Sequence, residues 1–327
     1  MTRRPRKDPT RRRGKTQDRA AAARRVRWPG FVLGAVLLVG VLLAGSGAIR
    51  WARERPAYTF DPLRLALIGK SPAWLEPPLA RAFYAGYGQI AGEPFSLLDR
   101  GALEAYLDRI RAFPWIEHAD ARLALPDRVQ LDLTLRRPVA AVSDGSVLRL
   151  IGGDGVVLDL LPPDATVSID PNVLLRHAPD QAIVPAPFGL TWLAGLAPLG
   201  IDRDAARAGA ALVREWTEQV DPAVRRVFGA VTPPLVAIDV SNHGLRRATE
   251  DAEYRLVLRD SKDRPVLVSW GHAPGGVYRL RIPLEQKIAI LVACLREHPG
   301  LADVAALDVR FPDSWRDRVQ LATSEVR

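Results

Sequence analysis

The chain has 327 residues, of which 48% are apolar and 25% are charged, and its formal net charge is +9. This length corresponds to about two domains, and the ordinary apolar and charged fractions exclude a wholly disordered chain. The single Cys excludes a disulfide-rich scaffold and a Cys-rich zinc module. Five His without paired spacing argue against a His-based metal site.

The positive charge is concentrated at the N-terminus. Residues 1–29 contain twelve Lys or Arg and two Asp, whereas the remaining residues contain 34 basic and 35 acidic side chains. A nucleic-acid-binding fold needs positive charge on its folded surface, so this distribution does not indicate that class. Residues 1–27 contain almost no large apolar side chain, and we predict that they form a disordered basic tail. Its role is open between a solvated tail and contact with anionic lipid or a cytoplasmic partner.

The next segment predicts a membrane-spanning helix at 28–49. Its 22 residues, Trp28–Ile49, carry no charge and are flanked by Arg27 and Arg50. Such a helix is about 33 Å long, compared with about 30 Å for the hydrocarbon core of a bilayer. The excess of Lys and Arg before the helix predicts a cytoplasmic N-terminus and an extracytoplasmic location for residues 51–327. A cleaved signal peptide is the alternative, because the small residues near Ala44 are suitable for cleavage.

The following segment has the pattern of a small α/β domain. Alternating apolar residues predict strands, and a 3.6-residue apolar spacing predicts helices. The predicted elements are a strand at 63–69, a helix at 73–87, a helix capped by Asp99 that stops before Pro114, and strands at 117–125 and 129–135. Gly69-Lys70-Ser71 imitates the end of a phosphate-binding loop, but position 64 is Arg where that loop requires Gly.

The end of this domain resembles a known family. The segment from Pro114 to Val142 is similar to the end of a POTRA domain in the bacterial cell-division family FtsQ/DivIB. The matching motifs are Pro114-Trp115-Ile116, the turn at Leu125-Pro126, the strand Val129–Leu135 and the exit Arg137-Pro138-Val139-Ala140. The family usually has an acidic residue before the Arg-Pro step, where this chain has Arg136. The resemblance implies a POTRA domain at 60–137.

A second α/β domain is predicted at 138–315, followed by a tail at 316–327. Gly152-Gly153-Asp154-Gly155 predicts a hairpin between strands at 147–150 and 156–160. A Gly-rich cofactor loop would have to open a helix, and Pro162-Pro163 follow instead. The further predicted elements are a Pro-rich surface excursion at 162–189, helices at 202–220 and 283–297, and strands at 235–240, 254–258, 266–269, 277–282 and 306–311.

The second domain carries the other half of the resemblance. Its motifs are Trp270-Gly271, a helix that bears Lys287, and Asp308-Val309-Arg310-Phe311. They occur in the order found in the family, behind one N-terminal anchor. The predicted fold class is therefore α+β: one transmembrane helix, a POTRA domain of order β-α-α-β-β, and a mixed α/β domain with a largely antiparallel sheet.

The sequence predicts no catalysis, no cofactor and no metal site. The predicted extracytoplasmic part, residues 51–327, contains no Gly-x-Ser-x-Gly nucleophile motif and no His-Glu-x-x-His motif. Cys294 is predicted to be a small core residue within a helix. A membrane-anchored wall hydrolase stays open as an alternative, although it would need a catalytic constellation that the spacing does not reveal.

The resemblance implies a scaffold of the divisome in the cell inner membrane, at the division septum. In this family the C-terminal sheet binds the FtsB–FtsL pair. We expect the corresponding contact at Leu307, Asp308, Val309, Arg310 and Phe311, through main-chain pairing at a sheet edge. Burial of Leu307, Val309 and Phe311 in the core is the alternative. A POTRA chaperone or secretion component is the other candidate, but such proteins continue into a β-barrel, and no regular alternating segments follow Val139.

Overall fold

The computed structural model describes residues 28–64, 72–124, 126, 128–144, 146–158, 170–175, 183–197, 200–229, 232–275 and 282–322. The described residues form two compact units. One comprises residues up to Asp61, Pro94–Glu104 and the described part of 123–130, and the other comprises Pro62–Glu93, Ala105–Arg122 and the residues from Leu131 onward. The predicted domain boundary after residue 137 lies inside the second unit, and it stays a prediction.

The first unit contains the apolar helix. Helix α1 spans Trp28–Arg53, and its segment Phe31–Arg53 has a mean hydropathy of 2.4, with none of it buried against other residues. It is long and apolar enough to cross a membrane, and it extends beyond the predicted end at residue 49. In the same unit, the short strands β1 (Thr59–Phe60) and β2 (Phe95–Ser96) pair with each other.

Two helices follow α1 in the chain. Helix α2 spans Pro77–Ile90 and helix α3 spans Arg100–Ala112. The predicted start of α2 at residue 73 is four residues early, because proline is best tolerated at the first helical position. The predicted cap of α3 is confirmed, since the Asp99 carboxylate accepts the N–H groups of Gly101 and Ala102.

The segment before α2 differs from the predicted strand at 63–69. Pro62–Arg64 forms a 3₁₀ turn, so the strand prediction is wrong at Leu63 and Arg64. Residues 65–71 lie outside the described residues. Strands β3 (Ile116–Ala124) and β4 (Arg128–Leu135) form a two-stranded sheet as predicted. The finer assignment of 60–137 as a POTRA domain stays a prediction.

Aromatic side chains form the core beside α2. Phe83 contacts Tyr87, Phe113 and Trp115, with ring centroids 6.3, 5.8 and 6.3 Å away. All four rings are buried, and the Tyr87 and Tyr106 hydroxyls are hydrogen-bonded at 2.8 Å. Buried hydroxyls usually need such a partner. These contacts hold the helices against the start of β3.

Among the described residues, the remaining strands form one nine-stranded sheet. Its strands are β5 (Pro138–Ser143), β6 (Leu148–Gly152), β7 (Val157–Leu158), β8 (Thr191–Ala194), β9 (Leu235–Asp239), β10 (Tyr254–Arg259), β11 (Pro265–Gly271), β12 (Val304–Asp308) and β13 (Val319–Leu321). They lie side by side in the order β13-β12-β11-β10-β9-β8-β5-β6-β7. Five of the eight pairings formed by the described strands are antiparallel. The sheet is thus mixed but mostly antiparallel.

Helices cover the sheet and complete its core. They are α4 (Arg203–Glu215), which continues through a π-helical turn (Trp216–Val220) into α5 (Asp221–Phe228), and α6 (Leu284–Glu297). Gly209 lets α4 approach β8, because a Cβ at this position would lie 2.8 Å from Leu193. The predicted excursion at 162–189 has short 3₁₀ turns at Pro171–Leu175 and Pro187–Gly189. The predicted strand at 277–282 lies almost wholly outside the described residues.

Candidate partner-binding surface

Strand β12 carries the start of the predicted binding motif, but it is not at the edge of the sheet. Its Leu307 and Asp308 pair in parallel with Val268 and Ser269 of β11. On the other side, Leu307 pairs with Val319 of β13 in the antiparallel direction. The expectation that this main chain is open to a partner strand is therefore wrong at Leu307. The strand also ends at Asp308 rather than at the predicted residue 311.

The five predicted contact residues divide into two groups. The side chains of Leu307 and Val309 are buried in the core of the sheet, as the alternative interpretation allowed. Asp308 and Arg310 are partly exposed, and Phe311 is 38% exposed. Only this second group can offer side chains to a partner.

Asp308 and Arg310 form one charged unit. The Arg310 Nε and Nη2 atoms donate to the two Asp308 carboxylate oxygens at 3.0 and 2.7 Å, which is the bidentate geometry that favours Arg over Lys. The Arg310 Nη1 atom donates to the Glu250 carbonyl at 3.0 Å. Arg310 thereby joins the end of β12 to the loop between β9 and β10.

The Arg310 side chain also lies against Gly271 at the end of β11. Gly271 has a φ of +88°, and a Cβ there would lie 3.4 Å from the Arg310 Cγ. The positive φ favours glycine, and a Cβ here would make only ordinary van der Waals contact with Arg310. Two motifs of the resemblance, Trp270-Gly271 and Asp308-Val309-Arg310-Phe311, therefore meet at one end of the sheet.

Two guanidinium groups lie near the ring of Phe311. The Cζ atom of Arg318 lies 3.7 Å from the ring centroid and that of Arg310 lies 5.3 Å from it. These are cation–π distances, and they fix the orientation of an aromatic ring that is not packed in the core. The result is an exposed aromatic ring beside two arginines, of which Arg310 is paired with Asp308.

Strand β13 forms the outer edge of the sheet on this side. It lies within the segment predicted as a tail at 316–327, and its three residues are too few for a sequence pattern to reveal it. Leu321 is 58% exposed. In the part of the chain that the structure describes, β13 pairs only with β12, so its outer main-chain groups face away from the sheet. We define the edge surface as Phe311, Arg318 and the strand Val319–Leu321.

Long-range contacts hold this short strand in place. Trp315 is buried against the core, and the Arg316 Nη2 atom donates to Glu297 of α6 at 2.6 Å. This hydrogen bond lowers the pKa of the Glu297 carboxyl. After β13, the Ala322 N–H donates to the Asp303 carbonyl at 2.8 Å. Side-chain contacts before β13 and a backbone hydrogen bond after it thus hold the edge strand in place.

The lysine of the remaining motif, Lys287, lies in the interior. Lys287 of α6 is 2% exposed, and its Nζ atom lies 4.8 Å from the centroid of the Trp270 ring. The Trp270 Nε1 atom donates to the buried Glu215 carboxylate of α4 at 3.0 Å. Trp270 therefore links α4 and α6, and Lys287 is not a surface ligand.

A polar cluster around Glu253 lies at the end of the sheet where Gly271 meets Arg310, and sequence analysis did not reveal it. The buried Glu253 carboxylate accepts the Gly244 N–H at 2.9 Å and contacts the His272 Nδ1 at 2.8 Å and the His243 Nδ1 at 3.7 Å. These side chains come from three separate segments, so spacing gives no signal. Among the described residues, no group of three or more His, Cys, Asp or Glu is placed to hold a metal ion.

Cys294 carries the thiol of the single cysteine in the sequence. It is buried within α6. Burial, with the charges of Glu297 and Asp303, raises the pKa of its thiol to about 12. A thiol with this pKa stays protonated at neutral pH, and the thiolate is the reactive form. Cys294 is therefore a core residue, as expected.

The helix and the sheets define an α/β protein with one apolar N-terminal helix that is suited to a membrane anchor. No family model matches the chain. It is similar to the cell division protein FtsQ of Koribacter versatilis (strain Ellin345), with 26% identity over 142 residues. The alignment covers 42% of this chain and 38% of that protein, so the chain spans well under half the length of this relative. The similarity supports an FtsQ-like cell-division protein, and the apolar helix is consistent with a single-pass inner membrane protein.

Proposed function

We propose that this chain is a non-enzymatic, bitopic scaffold of the bacterial divisome. Its extracytoplasmic part binds membrane partners of the FtsB–FtsL type and thereby recruits and regulates septal cell-wall synthesis. The N-terminal tail is cytoplasmic, residues 51–327 lie outside the membrane, and the protein acts at the division septum. The similarity to a cell division protein supports the process, and the edge surface supports the binding role.

The edge surface is the observation that carries the proposal. Strand β13 lies at the end of the strand order, and an edge strand can accept a partner strand through main-chain hydrogen bonds. Leu321 and Phe311 are exposed apolar side chains, and aromatic residues often dominate binding energy. The edge therefore combines backbone groups for affinity with side chains for specificity.

Two ion pairs near this edge support the binding role. Arg310 is already paired with Asp308, and Arg316 with Glu297. Such pairs hold a surface in one shape before a partner arrives, which lowers the entropic cost of association. We therefore propose the edge surface, rather than the five predicted residues, as the partner site. Phe311 belongs to both sets.

A binding titration tests this proposal. The full chain in lipid nanodiscs is titrated with the extracytoplasmic part of the FtsB–FtsL pair from the same organism. We expect saturable binding that Phe311→Asp and Leu321→Asp each weaken at least tenfold, or about 1.4 kcal/mol. Val227→Asp is the matched control, because Val227 is an exposed apolar residue of α5.

Circular dichroism of each variant separates loss of binding from loss of folding. Weakened binding by a folded Phe311→Asp variant, with Val227→Asp unchanged, supports the edge surface. No binding by the full chain would contradict the partner assignment, and an equal loss in all three variants would contradict the edge surface.

A further inference from the structure

Arg136 lies in the two-residue connection between β4 and β5. The family that this chain resembles usually has an acidic residue at this position, where this chain has an arginine. Its side chain is only partly exposed, although it stands in a connection. Within the second compact unit, it contacts two segments that are distant in sequence.

The first contact is with the beginning of β3. The Arg136 Nη1 atom donates to the carbonyls of Pro114 and Ile116 at 2.8 and 2.5 Å. The Arg136 backbone N–H donates to the carbonyl between them, that of Trp115, at 2.8 Å. One residue thus binds three consecutive carbonyl groups, and the Trp115 ring is buried in the aromatic core beside α2.

The second contact is with the turn between β6 and β7. The Arg136 Nε atom donates to the Asp154 carboxylate at 2.7 Å. Burial on its own would raise the pKa of Asp154, but the hydrogen bond and charge of Arg136, with the Val156 N–H, hold that pKa below its ordinary value. Asp154 is therefore ionised when it binds Arg136, and such a charge-assisted bond is stronger than a neutral one.

The turn itself rests on α4. Gly155 has a φ of +81°, and a Cβ at this position would lie 2.5 Å from the Arg207 Cα. This close approach leaves no room for a side chain, so the turn packs directly on the helix backbone. Contacts therefore run from Trp115 through Arg136 and Asp154 to α4, which covers the nine-stranded sheet.

We propose that Arg136 is a positioning residue that locks the start of β3 to the β6–β7 turn. The lock makes the aromatic core beside α2 and the nine-stranded sheet move as one body. A planar guanidinium is required, because one group must reach a carboxylate and two carbonyls in different directions. This inference does not depend on the identity of any partner.

Distance measurements on the full chain test the lock. Spin labels are placed at Glu117→Cys on β3 and Gln286→Cys on α6, both exposed positions, while the buried Cys294 stays unlabelled. In nanodiscs we expect one narrow distance distribution. Arg136→Met and Arg136→Lys should each widen it at least twofold, and Asp154→Ala should widen it to a smaller extent.

The matched control is Arg225→Met. Arg225 donates to Asp221 at 2.9 Å on the surface of α5, so this variant removes an Arg–Asp pair that links no separate segments. We expect no change in the width of the distance distribution. If the Arg136→Met variant fails to fold, as seen by circular dichroism, Asp154→Ala decides the question. An unchanged width in the folded Arg136 variants, or in Asp154→Ala, would overturn the proposal, even if the melting temperature falls.

Discussion

The Lys287 ammonium group lies 4.8 Å above the ring of Trp270, and the edge of the same ring donates a hydrogen bond to a buried carboxylate. The face of one tryptophan ring thus contacts a cation, and the Nε1–H of the same ring donates to an anion. A buried charge is costly unless it is paired and hydrogen-bonded. Trp270 therefore helps to keep both charged groups inside the fold.

Trp270→Phe tests this role. Phenylalanine keeps an aromatic face for Lys287 but removes the donor that Glu215 uses. Loss of a hydrogen-bond partner at a buried polar group costs about 1–3 kcal/mol, so we expect the free energy of unfolding to fall by this amount in chemical denaturation of the full chain. Trp51→Phe, at an exposed position of α1, is the control and should change little. A Trp270→Phe variant as stable as the parent chain would contradict the role.

Gly271→Ala tests the contact with Arg310. Gly271 and Gly275 both have positive φ, at +88° and +77°, but only Gly271 lies against Arg310, whereas a Cβ at Gly275 would meet nothing within 4 Å. Both alanine variants should lose about 1 kcal/mol through backbone strain. A Cβ at Gly271 would make only ordinary van der Waals contact with the Arg310 Cγ atom, so we expect amide hydrogen exchange around Glu250 to be equal in the two variants. Faster exchange around Glu250 in Gly271→Ala alone would contradict this expectation, because it would show that the added methyl group displaces Arg310.

The turn after β5 makes a pH-dependent contribution to stability. Hydrogen bonds from the Ser146 hydroxyl and from the N–H groups of Ser146 and Val147 lower the pKa of Asp144 from 3.8 to about 2. A carboxyl whose pKa is lower in the folded state stabilises the fold above its unfolded pKa, and this contribution is lost as the pH falls through the folded value.

Asp144→Ala should therefore melt at a lower temperature than the parent chain above about pH 4. The difference should shrink as the pH falls and be lost once the pH is below about 2. Melting curves at a series of pH values measure it, with Asp132→Ala, at an exposed position of β4, as the control. A difference that stays constant down to pH 2 would mean that the carboxylate charge is not its source.

Cys294 should be unreactive in the folded protein. Its burial and raised pKa predict that a thiol reagent at pH 8 modifies the full chain only after denaturant is added. A cysteine introduced at the exposed position Gln286 is the positive control and should react at once. Fast modification of Cys294 without denaturant would show that α6 opens readily.

Several elements could be predicted from the sequence because their signals are local. The uncharged run at Trp28–Ile49 predicts a helix by its length, and Asp99 sits where an N-cap is needed. The alternation in Val129–Leu135 predicts a half-buried strand. In each case the pattern depends on neighbours within a few residues, and the tertiary structure does not override it.

The location of the candidate partner-binding surface depends on tertiary structure. Leu307 and Phe311 are similar in sequence character, yet one is buried and the other is exposed, because β12 ends at Asp308 and the chain then turns. The edge of the sheet belongs to β13, which is too short to leave a pattern, and it is set by the order of strands. The pairing of Arg136 with Asp154 likewise joins residues 18 positions apart. Strand order, register and contacts of this kind depend on how distant segments pack, and local periodicity carries no information about that packing.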